Sequence, residues 1–93
     1  MVKIEFDPAK RQATLDSRGL DMALCGRVFA GPHTVAEDKR FAYPERRFVS
    51  AGWLRGRIVV LVWTPVPAGR RIISMRHCHA KEQQRWRQAL GGS

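Results

Sequence analysis

The run Ile58-Val59-Val60-Leu61-Val62-Trp63 decides the fold. It shows no alternation, so a strand built from it must be covered on both faces. Val and Ile dominate, and β-branched side chains suit a pleated surface better than a helix. The run falls far short of the roughly 20 apolar residues that a membrane-crossing helix needs, and no membrane association is expected. Strands are expected on each side of it. Glu45–Trp53 alternates and ends near Gly52, and Leu54–Gly56 supplies a tight turn. Pro65–Gly69 supplies the next turn, and Arg70–His77 reads as the last strand. Strands joined by such short turns predict an antiparallel meander.

Further out, the flanks add helices. Val2–Phe6 alternates apolar and charged residues and reads as a short strand. Asp7-Pro8 follows as a helix start, with Asp at the N-cap and Pro in the first turn. That helix is expected to reach Arg18 and stop at Gly19, with Ala9, Ala13 and Leu15 facing inward. Asp21 is a second N-cap. Leu24 with Val28, and Cys25 with Phe29, give a second helix its apolar stripe, and Gly31-Pro32 ends it. His33–Glu37 is expected as a short strand and Asp38–Pro44 as a polar loop that contains Phe41 and Tyr43. His79–Leu90 closes the chain as a helix with Trp86, Ala89 and Leu90 inward, before a flexible tail at 91–93. Trp63 is expected in the core, and Trp53 and Trp86 in core or interface. The sum is an α+β layer arrangement in a single domain over residues 1–90. Two helices precede a small, mostly antiparallel sheet and one follows it.

Charge narrows the partners. The 93 residues carry 17 Lys+Arg against 8 Asp+Glu, a formal charge of +9. The basic residues are Arg except at Lys3, Lys10, Lys39 and Lys81. Such an excess attracts polyanions at long range, and guanidinium forks grip phosphate in a bidentate way. A GC-rich genome would also enrich Arg. RNA is the expected polyanion. Cys25 and Cys78 match no zinc spacing, and Met1–Phe6 has no apolar signal core. A cytoplasmic location with reduced thiols is therefore expected.

No phosphate-binding glycine loop, nucleophile elbow, zinc-protease helix or dinucleotide fingerprint is present in the sequence. No cofactor is expected, and no metal. His77-Cys78-His79 puts two imidazoles on one side of a strand, but no third ligand stands at a recognisable spacing. Arg, His and Glu can cleave RNA unaided, because RNA supplies its own nucleophile, the 2′-hydroxyl. A protein need only orient that group, take its proton, stabilise the phosphorane charge and protonate the 5′-oxygen.

Arg71–Arg76 (RIISMR) sets a cation at each end of an apolar strand. Strict alternation sends Arg71, Ile73, Met75 and His77 to one face and Arg70, Ile72, Ser74 and Arg76 to the other. Glu45, a candidate general base, stands beside Arg46 and Arg47. Arg55 and Arg57 flank Gly56 at a hairpin tip, where they could reach a backbone phosphate. His77 is a candidate acid or base, since imidazole exchanges protons near neutral pH. Plainer readings stand beside each of these. Edge arginines solvate sheets, exposed ion pairs contribute about 0–1 kcal/mol, turn arginines aid solubility, and a lone histidine is most often structural.

A resemblance adds to this reading. Phe6-Asp7-Pro8 with Lys10, Gly19-Leu20, Val28-Phe29, Glu45 with Arg47-Phe48, Gly56-Arg57, Thr64 and Arg71–Arg76 stand in an order that resembles the BrnT toxin family. The R-I-I-S-x-R element, followed by a helix containing Glu82, is the most specific part, and the likeness covers roughly residues 4–87. It implies a RelE-like fold, metal-independent RNA cleavage and an adjacent BrnA-type antitoxin. A two-toxin, two-antitoxin complex that represses its own operon through the antitoxin is implied as well. An acidic segment or apolar helix of that partner is expected to cover the positive surface. Carried over by position, the resemblance marks Lys10, Glu45, Arg47, Arg57, Arg71 and Arg76. The combined site expectation is Glu45, Arg57, Arg71, Arg76 and His77 in catalysis, with Lys10, Arg18, Arg47 and Arg55 holding RNA. The alternative is a non-catalytic RNA-binding or repressor-complex partner. Three departures favour it. Ser17-Arg18-Gly19 replaces the family's K-H-G, Met75 and His77-Cys78 depart within the last strand motif, and Phe41, Tyr43 and Pro44 replace an acidic, His-containing loop.

Overall fold

The apolar run lies within a strand spanning Arg57–Val66 at the middle of a five-stranded sheet. The computed structural model describes residues 3–91. In chain order they form β1 (Lys3–Glu5), α1 (Pro8–Arg18), a 3₁₀ turn (Met22–Leu24), α2 (Cys25–Ala30), β2 (Ala36–Glu37), β3 (Phe48–Leu54), β4 (Arg57–Val66), β5 (Gly69–His77) and α3 (Ala80–Ala89). Sheet order is β1-β5-β4-β3-β2. Every pairing is antiparallel except β1 with β5, which is parallel. Val2 of the expected first strand, and positions 92 and 93 of the expected tail, lie outside the described residues.

β4 is covered on both sides, as its composition requires. Val59, Leu61 and Trp63 face a core shared with Met22, Cys25 and Val28. Ile58 and Val60 face a second, smaller core with Ala51 and Leu90. The first core is therefore roofed by the 3₁₀ turn and α2, and the second by the end of α3. Trp63 stacks on Phe48 with centroids 5.0 Å apart. Its buried indole N–H donates to Ser50 Oγ at 3.0 Å, so neither polar group is stranded. Trp53 and Trp86 are half-buried against the second core.

The β3–β4 hairpin turns through Arg55 (φ 52°) and Gly56 (φ 79°). Two consecutive positive φ values define the turn whose twist matches antiparallel strands. β3 begins at Phe48, so Glu45, Arg46 and Arg47 precede the strand instead of opening it. β4 runs on through Pro65 to Val66, and only residues 67 and 68 turn. Pro65 is tolerated because β3 pairing ends at Trp63, beyond which no partner on that side needs its missing N–H.

The helices pack differently from their apolar patterns. In α1, Ala9 and Ala13 are exposed and Thr14 is the buried residue. Polar contacts dock this helix. Arg11 forks onto Asp21 at 2.7 and 3.0 Å, and Arg18 Nη1 donates to the Met75 carbonyl at 2.7 Å. The ends follow the sequence: Asp7 accepts from the Ala9 N–H, and Gly19 is left-handed. In α3, Ala89 is exposed, because the inward stripe is Glu82, Trp86 and Leu90, each four residues apart.

The largest difference lies in β5. Val62 pairs with Ser74 and Trp63 with Ile72, so Ile73 has no partner on β4. This bulge inserts one residue and reverses the alternation beyond it. Ile72 and Met75 consequently share the first core, which strict alternation forbids.

Gly52 on β3 tests the packing between layers. A Cβ there would meet Val28 Cγ1 at 2.6 Å and His33 Cβ at 3.2 Å. Gly52→Ala should destabilise the protein by about 1–3 kcal/mol, the usual cost of overpacking. Gly31→Ala, where a Cβ meets nothing within 4 Å, should stay near wild type. Urea unfolding of both variants checks this.

Candidate RNA-binding site

The bulge redistributes the charged residues between the two faces. Ahead of Ile73, Arg71 pairs with Thr64 and with Glu5 of β1, on the face opposite Ile4 and the first core. Beyond Ile73, Ser74 and Arg76 pair with Val62 and Val60, on the same face as α3. Arg71 and Arg76 therefore share a face, where unbroken alternation sets them on opposite ones. Arg47 immediately precedes Phe48, whose side chain packs on the first core, so alternation turns Arg47 to the α3 face as well.

This face is only partly covered. The buried residues of the second core stop at the row Ala51–Val60–Arg76, with Val49 packed against them. Next comes the row Val49, Val62 and Ser74, all half-buried. Last comes Thr64, which is buried and pairs with Arg71, while Arg47 lies one residue outside the β3–β4 register that ends at Phe48. Arg47, Arg71 and Arg76 thus stand around half-buried valine and serine side chains.

Each of these arginines holds a carboxylate. Arg47 Nε donates to Glu45 at 3.3 Å, and Arg71 Nη2 to Glu5 at 3.3 Å. Arg76 forks onto Glu82 at 3.0 and 3.3 Å, and Glu82 also accepts from the His79 N–H at 3.1 Å. The Arg76 hydrogen bonds, then that backbone N–H, hold the Glu82 carboxyl down from 4.5 to about 2. A phosphate oxygen suits a guanidinium fork as a carboxylate oxygen does, so each pair marks a place where RNA backbone can compete. Lys10 joins Arg71, Glu5 and Ile73 along a shallow cleft of about 330 Å³.

The remaining expected residues lie elsewhere. Arg18, Arg55, Arg57 and His77 line a separate cleft of about 420 Å³ with Leu15, Leu54 and Val59. His77 pairs with Val59, on the face of the first core. Its Nε2 lies 3.1 Å from the Arg18 carbonyl, to which it must donate, and its Nδ1 is buried without a partner. His77 thus leaves the sheet on the face opposite Arg71 and Arg76. Sequence reasoning missed the fork of Glu82 onto Arg76. Its signal was the three-residue spacing from His79, the pattern of a helix start. The Cys25 thiol is pushed up to about 12, chiefly by burial, and is chemically inert.

A basic α+β protein with arginines across a half-open sheet belongs among proteins that handle polyanions. A family model described as "Ribonuclease toxin, BrnT, of type II toxin-antitoxin system" matches residues 6–82. The chain belongs to this ribonuclease toxin family, whose members work as one half of a toxin–antitoxin pair. Comparison with curated proteins gives no match. No helix among the described residues is long and apolar enough to cross a membrane.

Acid titration tests the Arg76–Glu82 lock. A carboxyl lowered on folding contributes stability that is complete above its unfolded value and is lost as pH falls through its folded value. Wild type should therefore lose stability between pH 4.5 and about 2. Glu82→Gln should be less stable at pH 7 and should lack that share of the acid loss. Denaturant midpoints of both proteins across this range decide it, and identical pH profiles would show that the pair is idle.

Proposed function

We propose that this chain is a metal-independent endoribonuclease toxin that works on the open half of its α3-side sheet face. The observation that carries the reading is the bulge at Ile73, which gathers Arg71 and Arg76 on one face with Arg47. Arg71 and Arg76 bind the scissile phosphate and stabilise the charge that develops on its phosphorane. Glu45 takes the 2′-hydroxyl proton or orients Arg47, to which it is bonded. The 2′-oxygen bonds to phosphorus as the bond to the 5′-oxygen breaks, and the leaving 5′-oxygen takes its proton from water. Lys10 extends the contact along the strand beyond Arg71. Arg18, Arg55, Arg57 and His77 form a second cationic surface on the other side, which prolongs the RNA track. A BrnA-like antitoxin neutralises the protein in the cytoplasm, in a two-plus-two complex that represses its own operon through the antitoxin. The antitoxin covers the arginine face with acidic or apolar groups.

A second reading keeps the RNA binding and the antitoxin but drops the chemistry. It is favoured by Arg18, which stands where the family pattern carries a histidine.

Purified protein should cut single-stranded RNA equally well with and without a metal chelator. Arg71→Ala and Arg76→Ala should each lower kcat/KM about 10²–10³-fold, the usual cost of removing one charge-stabilising donor. Full cleavage by Arg76→Ala would remove it from the site. RNA that survives wild type, together with normal growth on expression, would establish the non-catalytic reading.

A further inference from the structure

The first part of the loop between β2 and β3, Asp38–Tyr43, is not used by the chemistry above, and it carries the most exposed aromatic side chain among the described residues. Phe41 is 67 % exposed. Burying such a ring in a core would be favourable, yet the loop is built to hold it outward. Asp38, buried to 8 % exposure, is the hub. Its carboxylate accepts from Arg40 Nε at 2.9 Å, Arg40 Nη2 at 3.0 Å, the Arg40 backbone N–H at 3.2 Å and Tyr43 Oη at 3.0 Å. These donors, led by the Arg40 side chain, hold it well below the usual carboxylate range. The loop is thus pinned on both sides of Phe41.

The ring sits in a chain of π contacts that leads to the arginine face. Arg40 lies 5.8 Å from the Phe41 centroid. Phe41 meets Tyr43 edge to face at 5.9 Å. The guanidinium of Arg47 covers Tyr43 at 4.2 Å. All fall within the reach at which cations and aromatic rings attract. Phe41, Tyr43, Lys39 and Arg47 also line one cleft of about 420 Å³. An aromatic face flanked by cations, beside a row of phosphate-binding groups, is the chemistry that takes an unpaired nucleobase.

We propose that the Asp38–Tyr43 loop is a base-stacking platform, on which Phe41 holds an unpaired base of single-stranded RNA beside the phosphate bound by Arg47. The proposal rests on the RNA-directed reading above and adds a site to it. Duplex RNA keeps its bases stacked internally and gains nothing from Phe41. The platform therefore selects single strands, loops and ends over helices.

Binding of an uncuttable probe tests it. An eight-nucleotide 2′-O-methyl oligoadenylate lacks the nucleophile but keeps phosphates and bases. Its affinity for the full chain should fall about tenfold in Phe41→Ala, within the range measured for losing one base–aromatic stack. Phe41→Trp should restore it, and Phe41→Leu should not. Inorganic polyphosphate, which has charge but no bases, should bind all four proteins alike, as should a duplex of the same 2′-O-methyl strand. Melting temperatures should agree among the four, because the ring is exposed.

If wild type binds the oligonucleotide and Phe41→Ala binds it equally, the platform is overturned while the ribonuclease reading stands. Undiminished affinity in Phe41→Leu would also overturn it, since an aliphatic side chain cannot stack. If wild type does not bind RNA at all, both readings fall. If Phe41→Ala releases the antitoxin but not RNA, the ring is a protein-docking residue and the platform is overturned.

Discussion

Ile73 has no partner across the sheet, and the arrangement of charge depends on that one unpaired residue. Without the bulge, β5 would present Arg71 to one layer and Arg76 to the other. One of those guanidiniums would then compete with apolar groups for the first core, where an unpaired charge is costly. With the bulge, Ile72 and Met75 both enter that core and both arginines leave it. Packing and function are satisfied by the same irregularity. Bulges commonly serve to re-aim side chains near working sites.

The rest of the architecture limits where that face can be open. β4 has apolar side chains on both sides, so neither layer can be dispensed with. Yet α3 has ten residues and an inward stripe of only Glu82, Trp86 and Leu90, so it covers one end of its face. The other end, where Val49, Val62 and Ser74 are half-buried, takes the charge. Glu82 links the two ends. It caps the start of the helix and holds Arg76 at the border between the core and that half-buried row.

Much of this was legible beforehand. The uniform apolar run marked the central strand, Asp7-Pro8 and Gly19 bounded α1, and the short turns implied the meander. Three features were hidden, each for a physical reason. Alternation predicts faces only while the register is unbroken, and nothing in RIISMR marks which residue will drop out. That one shift separates His77 from Arg71, which alternation had joined, and joins Arg71 to Arg76, which it had parted. α1 docks through Arg11, Thr14 and Arg18, so a search for apolar residues selected the exposed Ala9 and Ala13 instead. The parallel pairing of β1 with β5 joins residues more than sixty positions apart, and a local pattern cannot encode it. Phe41 was visible as a residue, but its exposure depends on Asp38, whose donors assemble only in the folded loop.

The shortness of β1 has a consequence for life at high concentration. β1 pairs with only Gly69–Arg71 of the nine-residue β5, so Ile72–His77 borders no further strand on that side among the described residues. That stretch is interrupted by the bulge at Ile73, ends beside the charge of Arg76, and has its Met75 carbonyl already taken by Arg18 at 2.7 Å. Bulges, charge and short edges are how natural sheets discourage templated aggregation. A foreign strand seeking to extend the sheet here would have to displace Arg18 from that carbonyl first.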